Sequence, residues 1–219
     1  MPKNEDLNSA RAAAQDEFYT KYETIQEEVN YYNDAFRDQI VLCNCDDPYE
    51  SNFTLFFLRN FNFLGLKKLI CTSYSGSPMI ATQLSLFDDM DEPLTNKRGY
   101  VLEVTEVPMS NGRGITDVDV QNVLRSKRLK RLKGDGDFRS KECLKYLKEA
   151  DIVVTNPPFS LFREFIKTLV EYEKKFLIIG NLTAAHSADV FPMIRDGKVG
   201  WEHQYIQGID RFMCRHIIR

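Results

Sequence analysis

The sequence predicts an α/β fold, a mostly parallel sheet with helices on both faces. Three observations predict it. First, Gln39 to Asn44, Lys67 to Ser73, Asp151 to Thr155 and Lys175 to Asn181 are short apolar runs rich in β-branched residues, the pattern of strands buried on both faces. Second, stretches with apolar residues at three- and four-residue steps accompany them. Phe18, Tyr22, Ile25, Val29, Tyr32 and Phe36 form one such stripe, and Leu161, Phe165, Ile166, Leu169 and Val170 another. Third, the first strand turns directly into a helix from about Ser51 with Phe53, Phe56, Phe57 and Phe61 facing inward, the opening of a Rossmann-like βαβ unit.

Composition sets the outer bounds. The 219 residues suffice for one domain with a substantial core, and 43% hydrophobic with 28% charged residues is an ordinary globular balance. A net charge of −3 means that any nucleic-acid contact needs a local basic patch. No apolar run approaches the roughly 20 residues of a membrane span, and the polar N-terminus does not resemble a signal peptide. The five cysteines are odd in number, and three lie in predicted strands, so they read as buried thiols of a cytoplasmic protein. Cys43-Asn44-Cys45 is too close for a usual zinc pair and lacks a Cys-x-x-Cys partner, so no metal is expected.

Taken in order, residues 1–15 are polar and Ala-rich and read as a mobile arm. The helix that follows faces the core along its stripe, while its first turn, Phe18-Tyr19-Thr20, is positioned to close over a cofactor. The first strand ends in Cys43-Asn44-Cys45-Asp46-Asp47-Pro48. This turn lacks the glycines that seat a pyrophosphate at a helix N-terminus. Two aspartates would repel phosphate, yet suit an amino group or a sulfonium. For Asp47 a helix-capping role beside Ser51 accounts for the residue as well as a ligand role does, while Asp46 is favoured as a ligand contact. The second strand ends at Ser73-Tyr74, without the acidic residue that often holds a ribose there.

Residues 75–130 read as insertion-like. Within them 75–97 is a long polar excursion, Tyr100 to Val107 alternates like an accessory strand, and Thr116 to Leu124 reads as a short helix. Arg125 to Lys133 holds six basic residues. Lys130 and Arg131, with Arg139 beyond, are the candidate contacts to a phosphate backbone; a solvated face beside a strand accounts for the run equally well. In Gly134-Asp135-Gly136-Asp137-Phe138-Arg139-Ser140 the glycines would let backbone approach a ligand. Asp135 could then accept from an adenine amine and Phe138 pack on its ring; a tight turn capped by Asp137 is the alternative.

Asn156-Pro157-Pro158-Phe159 sits at the carboxyl end of a strand, where open α/β sheets bind ligands. Two prolines remove two donors and fix two φ angles. An Asn oxygen beside a proline carbonyl makes a pair of acceptors suited to an exocyclic NH₂ group, and Phe159 could stack on the ring that bears it. A plain turn remains the alternative. Beyond lie a helix at Asp189 to Arg195, started late by Pro192, and a strand at Lys198 to Ile206. The tail Gly208 to Arg219 mixes basic and apolar residues without a clear pattern.

Four stretches in order, Asp16 to Thr20, Cys43 to Pro48 with Ser51-Asn52-Phe53, Gly134 to Ser140, and Asp151 to Phe162, resemble the EcoRI-type DNA adenine-N6 methyltransferases. The resemblance implies a methyltransferase domain over 16–219 that uses S-adenosylmethionine and acts on the N6 of an adenine flipped out of double-stranded DNA. It implies catalytic roles for Asn156, Pro157, Pro158 and Phe159. It implies cofactor contacts from Phe18, Tyr19, Thr20, Asn44, Asp46, Pro48, Asp135, Phe138 and Asn156. Members of that family run well beyond this length, so the C-terminal part is expected to be incomplete, with last strands and a target-recognition element lying elsewhere. Two other readings stand beside it: the same chemistry on RNA or a protein glutamine, and a domain that binds cofactor or DNA without turnover.

Overall fold

The computed structural model describes residues 20–44, 48, 51–74, 98–110, 112, 114–126, 130–181, 188–206 and 209–216. Strand alternation builds its two cores. In β1, Ile40–Asn44, Val41 and Cys43 face one layer and Leu42 the other. In β2, Lys68–Ser73, Leu69 and Cys71 oppose Ile70 in the same way. In β5, Ile152–Thr155, Ile152 and Val154 oppose Val153; in β6, Lys175–Asn181, Leu177 and Ile179 oppose Phe176 and Ile178. A strand apolar on both sides must be covered on both sides.

Helices supply that cover. On the first face lie α1, Tyr22–Asn30, α2, Asn52–Arg59, and α3, Phe61–Leu64. Eight residues are too few for a helix to persist alone. What holds α2 is burial of Phe53, Phe56 and Phe57, each at most 2% exposed, with Phe56 and Phe57 edge-on at 5.3 Å. Each such ring contributes about 1.5–3 kcal/mol by leaving water. On the second face, α5, Lys141–Glu149, inserts Cys143 and Leu147, and α6, Phe162–Glu171, inserts Phe162, Phe165, Ile166 and Leu169. Between β5 and α6 the expected helix start at Ser160 is instead a 3₁₀ turn, Phe159–Leu161, because Pro158 sits just before it.

The sheet runs β4-β3-β2-β1-β5-β6-β8-β7. Here β3 is Tyr100–Val104, β4 Lys130–Arg131, β7 Gly200–Ile206 and β8 Ile209–His216. The four central strands β2, β1, β5 and β6 pair in parallel. β3 and β8 run against them, while β4 and β7 return to the common direction. Six of the eight strands therefore point one way. β8 lies in the tail, where no element was expected. The expectation that the last strands lie beyond Arg219 is corrected to that extent, since an antiparallel pair already extends the sheet past β6. A short helix α7, Phe191–Arg195, carries Pro192 in its first turn, as expected.

The helix expected near Thr116 is α4, Asp117–Ser126. Asp119 closes its first turn. The carboxylate accepts from the Thr116 hydroxyl at 2.7 Å, the Thr116 N–H at 2.8 Å and the Ser110 N–H at 3.0 Å, while the Thr116 hydroxyl accepts from the Asp119 N–H. This is a capping box with Asp in place of Glu. Those bonds, the Thr116 hydroxyl foremost, hold the carboxyl at about 2 against an ordinary 3.8. A depressed folded-state value contributes stability above pH 3.8 that is lost as pH falls toward about 2. Asp119→Asn is expected to flatten the acid limb of the unfolding curve across that window. Urea midpoints along a pH series check it.

Candidate active site

Where β1 meets β5 the sheet lets go. β1 stays paired with β2 as far as Asn44–Thr72, and β5 with β6 as far as Thr155–Ile178. Yet β1 and β5 pair only at Val41–Ile152 and Leu42–Val153. Beyond those pairs the ladder ends, and the crevice that open α/β sheets form outside the carboxyl ends of their strands falls here. The chain order also changes direction here, with β2 on one side of β1 and β5 on the other, and ligands bind open α/β sheets at such a point. One side-chain stitch spans the gap: the Thr155 hydroxyl donates to the Asn44 carbonyl. That bond fixes the end of β5, and so the residue after it, against the end of β1.

Asn156 is that residue. Its amide nitrogen donates to the Thr20 hydroxyl at 3.2 Å, and Thr20 is itself held by Asn52, whose amide donates to the Thr20 carbonyl at 2.8 Å. Asn52 opens α2 just after the Ser51 cap, whose hydroxyl accepts from the Phe53 N–H at 3.1 Å. Pro157 is buried and Pro158 half-buried. Of the two proline carbonyls, that of Pro158 is used within the chain: it accepts from the Leu161 N–H at 2.9 Å, which closes the 3₁₀ turn. The acceptor pair the corner can offer is thus Asn156 Oδ1 and Pro157 O.

Across the crevice, Asn44 is 5% exposed, and its Oδ1 is a buried acceptor without a hydrogen-bond partner among the described residues. A buried acceptor left unmade costs about 1–3 kcal/mol. A bound donor, such as the ammonium of an amino acid, would satisfy it. Pro48 is buried in the turn that follows. Phe18, Tyr19, Asp46 and Asp47 lie outside the described residues, as do 1–15, 75–97 and the side chain of Phe159.

The Gly134–Ser140 segment reaches the same rim by another route. Gly99 donates to Gly134 O, and Leu132 donates to Gly99 O, both at 2.9 Å. Gly136, at φ 85°, packs its Cα against the backbone of Ser73 and Gly99. Its bareness serves contact with β2, not the approach of a ligand. Asp135 accepts from the Asp137 N–H at 3.0 Å. Asp137 accepts from the Arg139 N–H at 2.8 Å, and its carboxyl is held below the usual range by the Arg139 side chain. The Asp137-capped turn therefore forms. Phe138 is 7% exposed and lies edge-on to Phe165 at 5.1 Å, in the second core. This segment fixes Asp135 at the rim and anchors it through Phe138.

The family model described as "Adenine-specific methyltransferase EcoRI" matches residues 6–216. The chain belongs to that family. Its relatives include the Type II methyltransferase M.EcoRI of Escherichia coli, 39% identical over 212 residues, and M.MpnI of Mycoplasma pneumoniae, 35% identical over 197. M.MgeORF184P of Mycoplasma genitalium is 35% identical over 193 residues. These alignments cover 96%, 90% and 88% of this chain but 59%, 50% and 49% of the relatives, so the chain spans about half their length. No solved structure matches significantly. Membership in an adenine-specific methyltransferase family implies a methyl donor.

For this family member, two of the basic candidates have structural work near at hand. Lys130 reaches Glu103 at 2.9 Å, and Glu103 also holds Lys68, which binds Glu149 at 2.7 Å. Glu103 lies two residues along β3 from Val101, the partner of Lys130, toward the amino end of the parallel strands. Lys130 therefore leans away from the Asn156 rim. Arg139 bridges Asp137 and Glu164. Arg131 stands opposite Tyr100 at the rim itself. Lys127 and Arg128 are outside the described residues. Sequence reasoning gave no role to Thr155 or Asn52, which tie the corner together. Ser51-Asn52-Phe53 was a visible match, but only the fold brings Asn52 to Thr20. Among the described residues no helix is long and apolar enough to cross a membrane, and no group of three or more His, Cys, Asp or Glu is placed to hold a metal ion.

Proposed function

We propose that this chain carries the methyl-transfer half of a DNA adenine-N6 methyltransferase that uses S-adenosylmethionine. One observation carries the reading: Asn156, stiffened by two prolines, stands at the mouth of the β1/β5 crevice with its amide nitrogen committed to Thr20. Family membership supports it, and so do relatives that bear the name Type II methyltransferase. When bound, S-adenosylmethionine would supply a methyl carbon on a sulfonium for the adenine amine to take as the C–S bond breaks, with the released N–H proton passing to water. Asn44 Oδ1 fits the cofactor's ammonium, and Thr20, Pro48 and Asp135 stand around the same rim. Phe18, Tyr19 and Asp46 belong to the proposed cofactor set through the family resemblance, as Phe138 does through its anchoring of the Asp135 loop.

Asn156 Oδ1 and Pro157 O accept the two hydrogens of the adenine amine and draw its lone pair out of ring conjugation. These bonds strengthen as positive charge develops on nitrogen, which is where catalysis gains. Phe159 stacks on the flipped base. Arg131 and Arg139 are the nearest candidates for backbone phosphates at this rim.

The test is transfer of labelled methyl from S-adenosylmethionine to duplex DNA, RNA and protein in parallel, followed by digestion to monomers. N6-methyladenine in the DNA arm is expected. Label confined to RNA or protein would move the substrate class, and calorimetry showing no cofactor binding to folded protein would end the reading.

A further inference from the structure

We infer that Thr20, clamped by Asn52, is a positioning residue that holds the Asn156 side chain in place at the corner. The inference rests on the reading of Asn156 as the amine-gripping residue and goes beyond cofactor contact as the role of Thr20.

An Asn side chain swings about two torsions, and at a corner meant to hold an NH₂ group it must be held in one place. Thr20 is 5% exposed, and its hydroxyl lies 3.2 Å from Asn156 Nδ2. That bond ties the amide to Thr20 through its nitrogen. A β-branched side chain is stiff at χ1, so the hydroxyl stays where the backbone puts it. The backbone in turn is pinned by Asn52, whose amide donates to the Thr20 carbonyl at 2.8 Å from the first turn of α2. The other side of Asn156 is fixed independently, since Thr155, the preceding residue, is bonded to Asn44 O. Three segments far apart in sequence, at 20, 52 and 156, thus meet at one amide. A residue that merely lined the cofactor would need neither the Asn52 clamp nor the bond to Asn156.

The test uses the full chain and two readouts. In ¹⁵N–¹H spectra the Asn156 side-chain NH₂ pair is identified by its loss in Asn156→Asp. In Thr20→Val, which keeps shape and removes the hydroxyl, that pair is expected to shift and its hydrogen exchange to quicken by roughly fivefold, as a lost bond of about 1 kcal/mol predicts. Thr20→Ser should return both to native values, and Asn52→Leu should give an intermediate shift. With S-adenosylmethionine and DNA, Thr20→Val should lower kcat by roughly 10–100-fold through misorientation, a larger factor than its effect on cofactor Kd, and recover in Thr20→Ser.

An Asn156 pair unmoved by Thr20→Val would overturn the inference. So would a Thr20→Val enzyme whose cofactor Kd rises while kcat is kept, because Thr20 would then be a binding contact only. If the native chain transfers no methyl group, the proposed function fails, while the spectra still decide whether the latch exists. Thermal unfolding checks that each variant folds, and Asn52→Leu carries the same comparison should Thr20→Val not fold.

Discussion

Asn156→Ala is expected to lower methyl transfer to duplex adenine by roughly 10²–10³-fold, with far less effect on cofactor binding. The reason is where the side chain stands. Transfer makes the amine nitrogen more positive, and an acceptor that gains strength with that charge lowers the barrier without tightening the ground state. Alanine removes the acceptor and also strands the Thr20 hydroxyl that the amide nitrogen now engages. Asn156→Asp separates the two losses. A carboxylate still accepts from the amine, and the Thr20 hydroxyl can turn to donate to it, so its rate should fall between native and alanine. Asn156→Gln keeps the amide but moves it by one methylene, so it should resemble alanine more than native. Single-turnover transfer with labelled cofactor measures the chemical step free of product release. If alanine turned over at the native rate, the corner would be a turn and nothing more.

How far the sequence discloses this arrangement depends on whether local pattern or long-range contact decides each element. The central strands were legible because β1, β2, β5 and β6 are buried on both faces and must be apolar throughout. α2 was legible from aromatic spacing and α6 from apolar residues at three- and four-residue steps. β3 was legible as an alternating strand. Its direction, antiparallel to β2, was not, because that depends on the path between Ser73 and Gly99. β8 escaped because three arginines and a histidine broke the apolar pattern of Gly208 to Arg219. At the site, Asn156 and its prolines announced themselves through rigid local chemistry. Thr155 and Asn52 did not: each is an ordinary strand or helix residue until the fold brings Asn44 or Thr20 within reach. The glycines of 134–140 were read as room for a ligand because sequence alone cannot show that Ser73 fills the space beside Gly136.

That filled space makes Gly136→Ala the largest expected loss of stability. Three backbones meet there. A Cβ on Gly136 would run into the Ser73 carbonyl oxygen, and a Cβ on Gly99 would lie 2.6 Å from Gly136 Cα. The neighbours are backbone atoms held by the β2–β3 ladder, so no rotamer change relieves the clash. The residue also sits at φ 85°, where an L side chain is strained. Strain of about 1–3 kcal/mol and overpacking of about 1–3 kcal/mol act together, against a total of about 5–15 kcal/mol for a domain. Gly134→Ala is the control, since nothing lies within 4 Å of the Cβ it would gain; its effect should stay within about 0.5 kcal/mol. Denaturant unfolding of the two variants beside the native chain reads the difference directly. Equal midpoints would mean that the Ser73–Gly99–Gly136 junction does not form as described. Where Gly136→Ala remains folded, cofactor binding should weaken as well, because the junction sets the position of Asp135 at the rim. The strained turn thus joins the sheet to the loop that bears Asp135.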